Sequence, residues 1–429
     1  MRLYYVYKKQ FSYILIGLLF IIPLAFSHAQ TANDLNIKIS QNNTDIAKLE
    51  QEIKQYQDQL DSIGKQKSSL NGSIKQLDLT RKKLETDILV TQKKIEKTNL
   101  TIESLSSQIG VKENSISNNI NAIEAGIRNI NEFELQNLME TILSNDSFTT
   151  IWNDIDNIVS LRETIRGNII ELKQVKVELE GTRQETIDAK NELLTLQKEL
   201  AAQKKIVVQN TTEKQKLLTQ TKNSEANYQK LLKDRLAKKD AFEKELRDYE
   251  SQLKFILDPS LLPSGGVLSW PLDSIYITQL FGKTEAGKRL YANGTHNGVD
   301  FRASVGTPVK AMADGTVMGT GDTDLTCSGA SFGKFVFIKY NNGLASTYGH
   351  FSLITVSSGQ KVRRGEVVGY SGNTGYSTGP HLHVSVYASQ AVKMESRASA
   401  ACGGHTYYMP IAPIDAYLDP MFYLPLYKK

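Results

Sequence analysis

The chain has 429 residues, of which 40% are hydrophobic and 23% are charged, and its formal net charge is +5. This composition is too apolar for a disordered chain, and so small a net charge gives no reason to expect nucleic acid as a partner. Glycine is concentrated towards one end, because 22 of the 29 glycines lie after position 258. The 235 residues between Pro23 and Pro259 contain no proline. These distributions exclude a single globular fold and indicate two kinds of structure joined end to end.

Residues 1–29 have the pattern of a secretory signal peptide. Three basic residues precede an uncharged, mostly apolar run over residues 11–26, and Ser27-His28-Ala29 offers small residues where a signal peptidase reads. The run has 16 residues, whereas a membrane span needs roughly 20 apolar residues. An uncleaved membrane anchor is the alternative interpretation. We therefore expect an exported protein, in the periplasm or in the cell wall or extracellular space.

Residues 39–109 repeat apolar side chains at alternating spacings of three and four. Sixteen of the 21 positions on this seam are apolar, and most positions between them are polar. An average repeat of 3.5 residues predicts a left-handed coiled coil, which would be about 105 Å long over this stretch. Asn42, Lys67 and Arg81 interrupt the seam, and polar seam positions commonly fix register or partner.

A second helical arm is predicted from about residue 161 to 253, with a looser seam. Between the arms the heptad lapses, and Ser144-Asn145-Asp146-Ser147 can end one helix and cap the next. The sequence therefore predicts an antiparallel coiled-coil hairpin over residues 30–254, with its turn near 131–160. Packing of the bend and a docking surface for a partner are two explanations for the apolar side chains there: Phe133, Leu138, Met139, Phe148 and Trp152.

The remainder of the chain is rich in strand signals. Residues 255–265 contain Pro259 and Pro263 and are predicted to be a linker. Within residues 266–429, segments such as 334–340 and 382–387 alternate with a period of two between glycine-rich turns. Many short strands with such turns predict an all-β sandwich or barrel.

Cys327 and Cys402 are the two cysteines of the chain, and both lie in the predicted β-domain. In an exported protein, an even pair within one domain favours a disulfide bond. Two free thiols are the alternative.

Four of the six histidines occur in three short motifs of the predicted β-domain. His296-Asn-Gly-Val-Asp300 places an imidazole and a carboxylate four residues apart, and His381-Leu-His383 places two imidazoles on one face of a strand. His350 follows a further apolar alternation, and His405 has no assigned role. Each motif alone is weak evidence, but together they supply a His, Asp and His ligand set, typical of a catalytic zinc site with an open fourth position. The remaining imidazoles can serve as a base and as a hydrogen-bond donor in hydrolysis.

These motifs, with Tyr348-Gly-His350 and the segment from Ser371 to His383, resemble the lysostaphin/LytM-type zinc metallopeptidases. The resemblance covers roughly residues 266–390 and implies a duplicated hybrid β-fold that cleaves peptide cross-links or stem peptides of peptidoglycan. It implies one Zn²⁺ per chain, bound by His296, Asp300 and His383. It also implies that His350 and His381 assist the attacking water and stabilise the transition state.

The order of signal peptide, helical arms and LytM-type domain also resembles the EnvC/CwlO type of cell-wall hydrolase or hydrolase activator. In that group the helical part is associated with recruitment or restraint by a membrane complex, which implies a membrane-embedded division or cell-wall regulatory complex as partner. Such restraint predicts that the arms or the linker occlude the site.

Three functions compete at this point. The first is a secreted zinc metalloendopeptidase regulated or localised by its coiled coil, and the presence of all five site residues favours it. The alternatives are a non-catalytic LytM-domain activator of cell-wall amidases and a structural protein whose metal only stabilises the fold.

Overall fold

The computed structural model describes residues 32–63, 69–134, 148–253, 255, 260, 262–283 and 295–427. Within these residues the N-terminal part consists of helices α1 (Ala32–Ile63), α2 (Leu70–Glu134), α3 (Phe148–Thr221) and α4 (Glu225–Glu250). Across the described residues, every helix is too short or too polar to cross a membrane. The expected signal peptide, residues 256–259 and 261 of the expected linker, and Leu138 and Met139 of the expected turn lie outside the described residues.

Helices α2 and α3 form the predicted antiparallel hairpin. Asp78 near the start of α2 binds Lys214 near the end of α3 at 2.6 Å, and Lys112 lies 3.3 Å from Glu178 further along. Leucines of both helices are buried along the seam, as the heptad pattern predicts. The fold class predicted from the sequence, a long helical hairpin followed by an all-β domain, is confirmed.

The first arm is not one continuous rod, so the prediction of an unbroken coil over residues 39–109 is wrong. Helix α1 ends at Ile63, α2 begins at Leu70, and α1 packs antiparallel against α2. The Nζ of Lys93 donates to Asn42 Oδ1 at 3.2 Å, which pairs the start of α1 with the middle of α2. Leu70 follows Ile63 by seven positions, which is one heptad. The apolar repeat therefore stays in phase across the break between α1 and α2, and the sequence pattern does not reveal that break.

Helices α3 and α4 are joined by residues 222–224 alone. Lys222 and Asn223 adopt left-handed backbone conformations, with φ angles of 50° and 54°. Asparagine tolerates this region better than most residues, and such residues end helices. The junction therefore breaks the helix between the hairpin and α4.

The C-terminal part is built from fifteen described strands. The strands are β1 (Ile277–Gln279), β2 (Gly282–Lys283), β3 (Thr295–His296), β4 (Val299–Arg302), β5 (Pro308–Lys310), β6 (Gly315–Asp322), β7 (Lys334–Tyr340), β8 (Leu344–Gly349), β9 (Phe351–Ile354), β10 (Lys361–Val362), β11 (Val367–Ser371), β12 (His381–Ala388), β13 (Lys393–Ala398), β14 (Thr406–Ile411) and β15 (Tyr417–Leu418).

These strands form two larger sheets and two smaller pairs. The largest sheet has the order β1-β4-β12-β8-β7-β6-β10, with β15 also pairing with β12, and a second sheet has the order β5-β11-β9. A hairpin of β13 and β14 and a pair of β2 and β3 complete the described strands.

The main core lies between the two larger sheets. Alternate residues of the strands supply its fully buried apolar side chains, among them Phe301, Val336, Phe351 and Val384. A short helix, α5 (Pro420–Tyr423), packs its Tyr423 against the same core. Cys327 and Cys402 form the expected disulfide bond, which ties the loop before β7 to the β13–β14 hairpin.

The C-terminal half of helix α4 packs into the β-domain. The Phe242 ring, which is 1% exposed, meets the Tyr407 ring edge-to-face at 5.1 Å. A carboxylate oxygen of Glu245 accepts a hydrogen bond from the backbone N–H of Ala401 at 3.0 Å. The carboxylate of Glu250 accepts one from the Tyr417 hydroxyl at 2.8 Å. These contacts place α4 in a second hydrophobic core of the β-domain, beside the disulfide bond.

We expect replacement of Glu250 by glutamine to reduce the pH dependence of folding stability. Burial raises the pKa of Glu250 from its ordinary value of 4.5 to about 7, although Tyr417 and the Ala412 N–H bind its carboxylate. Between these values the folded state holds a proton that the unfolded state has released, so stability falls as pH rises. The loss on passing from about pH 4 to pH 8 is on the order of 3 kcal/mol.

Thermal unfolding from pH 4 to 8, followed by Trp270 fluorescence in a Trp152→Phe background, measures this effect. Glu250→Gln should therefore gain stability over the parent protein as pH rises. Asp248→Asn changes an exposed carboxylate of the same helix and should keep the parent's profile. Parallel profiles for Glu250→Gln and the parent would contradict the prediction.

Candidate metal centre and active site

Three neighbouring strands and one tight bend bring the five predicted site residues together. His296 ends β3, Asp300 lies in β4, and His381 and His383 lie in β12. Strand β12 runs between β4 and β8, and His383 pairs in register with Asp300 on one side. His350 occupies the bend between β8 and β9. The motifs that are distant in sequence therefore converge because β4, β12 and β8 are adjacent in one sheet, while β3, which pairs with β2, leads directly into β4.

His296, Asp300 and His383 form a compact group of potential ligands. The Oδ1 of Asp300 lies 3.2 Å from His296 Nε2 and 2.9 Å from His383 Nδ1. The two histidine nitrogens are 3.1 Å apart. The three side chains are buried, and one ligand atom from each lies within 4.8 Å of the others.

Hydrogen bonds on the far side of each ring determine which nitrogen faces this group. The Nδ1 of His296 lies 3.0 Å from the Leu280 carbonyl oxygen, which can only accept, so Nδ1 carries the hydrogen. The Nε2 of His383 lies 2.9 Å from the Ser385 hydroxyl. His296 thus presents Nε2 to the group and His383 presents Nδ1, each with an outer hydrogen-bond partner of the kind that orients metal ligands.

The protonation states of Asp300 and His383 suit metal coordination. Burial alone would raise the pKa of Asp300, but hydrogen bonds with His296 and His383 outweigh it and hold that pKa well below its ordinary value. Burial lowers the pKa of His383, despite the nearby Asp300 carboxylate. An ionised carboxylate beside a neutral imidazole is the protonation state that metal coordination requires.

The donor set fits a zinc ion. Two imidazole nitrogens and one carboxylate oxygen are the borderline and hard donors that catalytic zinc sites combine, leaving a fourth position open. No further His, Cys, Asp or Glu joins the group within the described residues, so the set is not a closed four-ligand structural site. The buried carboxylate also has a charge that a cation would neutralise.

His350 and His381 lie beside the group as a neighbouring pair, with ring centroids 4.5 Å apart and ring planes tilted by 49°. The Nδ1 of His350 donates to the Thr374 carbonyl oxygen at 2.8 Å, and the Nδ1 of His381 donates to the Gly379 carbonyl oxygen at 2.7 Å. The Nε2 of His381 is 3.7 Å from Asp300 Oδ1. Each ring that donates from Nδ1 keeps its lone pair on Nε2, so both can accept or deliver a proton there.

His350 is held in a left-handed backbone conformation, with a φ of 64°. Its backbone N–H donates to the Phe332 carbonyl oxygen at 2.7 Å, which fixes the bend. Burial lowers the pKa of His350 well below its ordinary value, and the neighbouring His381 acts in the same direction. A strained bend that holds a neutral imidazole is common at active sites.

One loop, residues 372–380, holds the rings of His350 and His381, because its Thr374 and Gly379 carbonyl oxygens accept their hydrogen bonds. The loop is anchored where the Gly375 N–H donates to Asp324 Oδ2 at 2.8 Å. The Tyr376 N–H donates to the Ser331 carbonyl oxygen, also at 2.8 Å. Ser331 in turn donates its N–H to Glu243 of α4 at 3.0 Å. Helix α4 is therefore linked to His350 and His381 through two loops, the one that contains Ser331 and the one formed by residues 372–380.

Sequence reasoning missed three residues that shape the site: Leu280, Gly298 and Ser385. A side chain at Gly298 would lie 2.6 Å from His383 Cε1, so only glycine permits the close approach. Ser385 could have been found, because it follows His381 and His383 with the same period of two. The Leu280 carbonyl carries no signal in the sequence.

A buried His-Asp-His group with two further histidines beside it, in an all-β domain, is the arrangement expected of a metal-dependent hydrolase. Residues 294–394 match the model of Peptidase family M23. This segment of the chain is therefore similar to the M23 peptidases, as the sequence motifs predicted.

The relatives are peptidases that match this chain through the same domain. The peptidoglycan DD-endopeptidase ShyA of Vibrio cholerae is 46% identical over 88 residues, which are 20% of this chain and 19% of ShyA. The glycyl-glycine endopeptidase ALE-1 of Staphylococcus capitis is 42% identical over 91 residues, 21% of this chain and 24% of that protein. The chain thus spans about a fifth of the length of the relatives it matches.

Among solved structures, the catalytic domain of the antimicrobial peptidase lysostaphin from Staphylococcus simulans is similar to this chain. The two are 28% identical with a TM-score of 0.26, over 34% of this chain and 90% of the lysostaphin domain.

Removal of a proposed ligand should abolish metal retention. We expect the purified chain to retain one zinc ion, and Asp300→Asn or His383→Ala to lose it, because two remaining donors hold zinc far more weakly. His381→Ala should retain zinc, since it leaves all three proposed ligands in place. Metal analysis after gel filtration measures the stoichiometry.

His405→Ala is the matched control, because His405 is exposed in the loop between β13 and β14. It should keep one zinc ion per chain. Full zinc content in Asp300→Asn would refute the proposed ligand set.

Proposed function

We propose that the chain is an exported zinc-dependent metalloendopeptidase that hydrolyses peptide bonds of peptidoglycan for cell-wall remodelling or cell separation. The observation that carries this proposal is the convergence of a buried His-Asp-His group with a second pair of histidines, of which His381 has its Nε2 3.7 Å from Asp300 Oδ1 and His350 has its ring centroid 4.5 Å from that of His381. A metal site that only stabilises the fold does not require a second pair of histidines beside its ligands. An amidase activator without activity of its own likewise needs neither the ligands nor the pair.

His350 and His381 would perform the proton transfers of the reaction. A zinc ion bound by His296, Asp300 and His383 supplies a Lewis acid that activates water and polarises the scissile carbonyl. The Nε2 of His381 faces this centre and is placed to exchange a proton with the attacking water or the leaving amine. His350 lies beside His381 and is neutral, so its Nε2 can accept a proton during the reaction and can then donate it in a hydrogen bond to the developing oxyanion. The Thr374 and Gly379 carbonyl oxygens hold both rings in this orientation.

The proposed substrate class comes from the relatives. ShyA is named for endopeptidase action on peptidoglycan and ALE-1 for action on glycyl-glycine bonds. Peptides of this kind occur outside the cytoplasmic membrane, which agrees with the secretory pattern of residues 1–29. We therefore propose peptidoglycan as the substrate and the periplasm or cell wall as the location.

The helical part is proposed to regulate the site, because it contacts the β-domain at the site's edge. Asp61, near the end of α1, forms an ion pair with Arg302 of β4. Arg302 pairs in register with His381 on the neighbouring strand. The α1 end therefore lies against the strand pair that carries Asp300 and the proposed catalytic His381.

A second contact fixes the hairpin beside the same site. Leu84 of α2 and Ile206 of α3, both fully buried, form a small apolar cluster with Tyr370 of β11. A side chain at Gly306 would clash with Leu84 at 2.6 Å, so helix and loop are in close contact. Together with the Asp61–Arg302 pair, this cluster supports a restrained state in which substrate access is reduced.

A partner is proposed for the far end of the hairpin. Trp152, Ile155 and Val159 of α3 are 56%, 37% and 54% exposed, and their spacing places them on one face of the helix. Such a face supports docking to a membrane-embedded division or cell-wall regulatory complex, as the architectural resemblance implies.

The proposal predicts metal-dependent digestion of peptidoglycan by the full chain. Loss of a general acid–base group lowers rates by about 10²–10⁴-fold, so His381→Ala should lose activity to that extent while it retains zinc. Mass spectrometry of the released muropeptides, with and without a chelator, identifies the bond that is cleaved. The control is His405→Ala, which should digest at the parent rate.

The activator alternative gives the opposite result in the same experiment. It predicts zinc uptake without digestion, in the full chain and in the Asp61→Lys variant, together with stimulation of an added cell-wall amidase. Digestion that is unaffected by both the chelator and His381→Ala would contradict a metallopeptidase.

Reversal of the Asp61 charge should raise the rate of digestion. Asp61→Lys places a like charge against Arg302 and weakens the contact between α1 and the β-domain. An exposed ion pair contributes up to about 1 kcal/mol, so we expect an increase of a few-fold in the steady-state rate, measured as dye release from labelled peptidoglycan.

Glu113→Lys is the matched control, because Glu113 pairs with an arginine, Arg183, elsewhere on the hairpin. It should leave the rate unchanged. The swapped pair Asp61→Arg with Arg302→Asp should restore the slow rate of the parent. A rate for Asp61→Lys equal to or below that of the parent would exclude restraint through this contact.

A further inference from the structure

Ser385 lies directly behind one of the proposed zinc ligands. It follows His383 by two residues on β12, so the two side chains lie on the same face of the strand. Its hydroxyl oxygen is 2.9 Å from His383 Nε2. Ser385 is fully buried and His383 is 5% exposed, so water does not compete freely for this hydrogen bond.

We infer that Ser385 is a positioning residue for the metal: its hydroxyl accepts the Nε2 hydrogen of His383 and so keeps the Nδ1 lone pair directed at the zinc position. This inference rests on the proposed function only in taking the His296, Asp300 and His383 group as the metal site. Neither the family match nor the named relatives assign a role to this serine.

A neutral imidazole has a single N–H hydrogen, which is on either Nδ1 or Nε2. If that hydrogen is on Nδ1, it points at Asp300 Oδ1, 2.9 Å away, and Nδ1 cannot bind a metal. If it is on Nε2, Nδ1 is free to coordinate, but a buried N–H then needs an acceptor. The Ser385 hydroxyl is the acceptor that the described residues provide.

A hydroxyl suits this position better than a carbonyl group. The Leu280 carbonyl behind His296 can only accept, so it holds that ring in one tautomer. The Ser385 hydroxyl can donate to Nε2 in the metal-free protein and can rotate to accept from Nε2–H when Nδ1 coordinates. Ser385 therefore gives His383 Nε2 a hydrogen-bond partner in both tautomers, as metal enters or leaves.

The test is zinc affinity of the full chain, measured by competition with a chromophoric chelator. Loss of an outer hydrogen-bond partner typically weakens metal binding by about 10–100-fold, and we expect Ser385→Ala to show a loss of this size. Ser385→Thr keeps the hydroxyl and should recover most of the affinity.

Thr347→Val is the matched control. Thr347 pairs with Ser385 in register on β8 and is equally buried, so its substitution removes a hydroxyl from the same part of the sheet. It should bind zinc as the parent does. Thermal unfolding of the metal-free proteins checks that each variant folds, and a Ser385→Ala defect that appears only with zinc present excludes a general loss of packing.

A spectroscopic signature tests the tautomer directly. In the zinc-loaded protein with ¹⁵N-labelled histidine, we expect His383 to show a protonated Nε2 whose hydrogen exchanges slowly with water, and Ser385→Ala to make that exchange faster. Parent affinity in Ser385→Ala, or a hydrogen on Nδ1 of His383 in the loaded parent, would overturn the inference. If the parent binds no zinc, the proposed metal site fails with it. If it binds zinc without digesting peptidoglycan, the proposed function alone fails.

Discussion

The pairing of β12 with β4 is the constraint on which the site depends. It sets His383 opposite Asp300, and the period of two along β12 then sets His381 and Ser385 on the same face. A slip of one residue would turn all of these side chains to the other face of the sheet. The fully buried residues Leu382 and Val384 prevent that slip, because they would have to leave the core. The hydrophobic core therefore fixes the position of the polar groups.

The position of α4 connects this sheet with the helical part of the chain. Phe242 and Glu250 embed the helix in the β-domain, and Glu243 binds Ser331, whose carbonyl oxygen anchors the loop that supports His350 and His381. The longer helices contact the domain at other places, among them the Asp61–Arg302 pair and the cluster around Leu84. The chain thus joins a helix embedded in the domain to long helices that lie against its surface, which is an arrangement that suits control of access.

Sequence reasoning predicted those features that depend on local pattern. The heptads predicted the helices, the alternating strands predicted the β-domain, and the motif spacing singled out His296, Asp300 and His383 before any geometry was available. It failed at Ile63, where the heptad continues in phase through a reversal of the chain. It also missed the contribution of the Leu280 carbonyl, because a backbone group of any residue type can fill that role. Such features depend on which segments meet in space.

The junction at Lys222 and Asn223 gives the hairpin a mechanical property. Helix α3 has 74 residues and is therefore about 110 Å long, while the connection to α4 is only three residues. A small displacement at the distal tip would turn about this pivot, and the long arm would multiply a weak lateral pull into a much larger force on the contacts near the pivot. A pull at the tip would thus act on the contacts with the β-domain through leverage, at a distance from the residues of the candidate site.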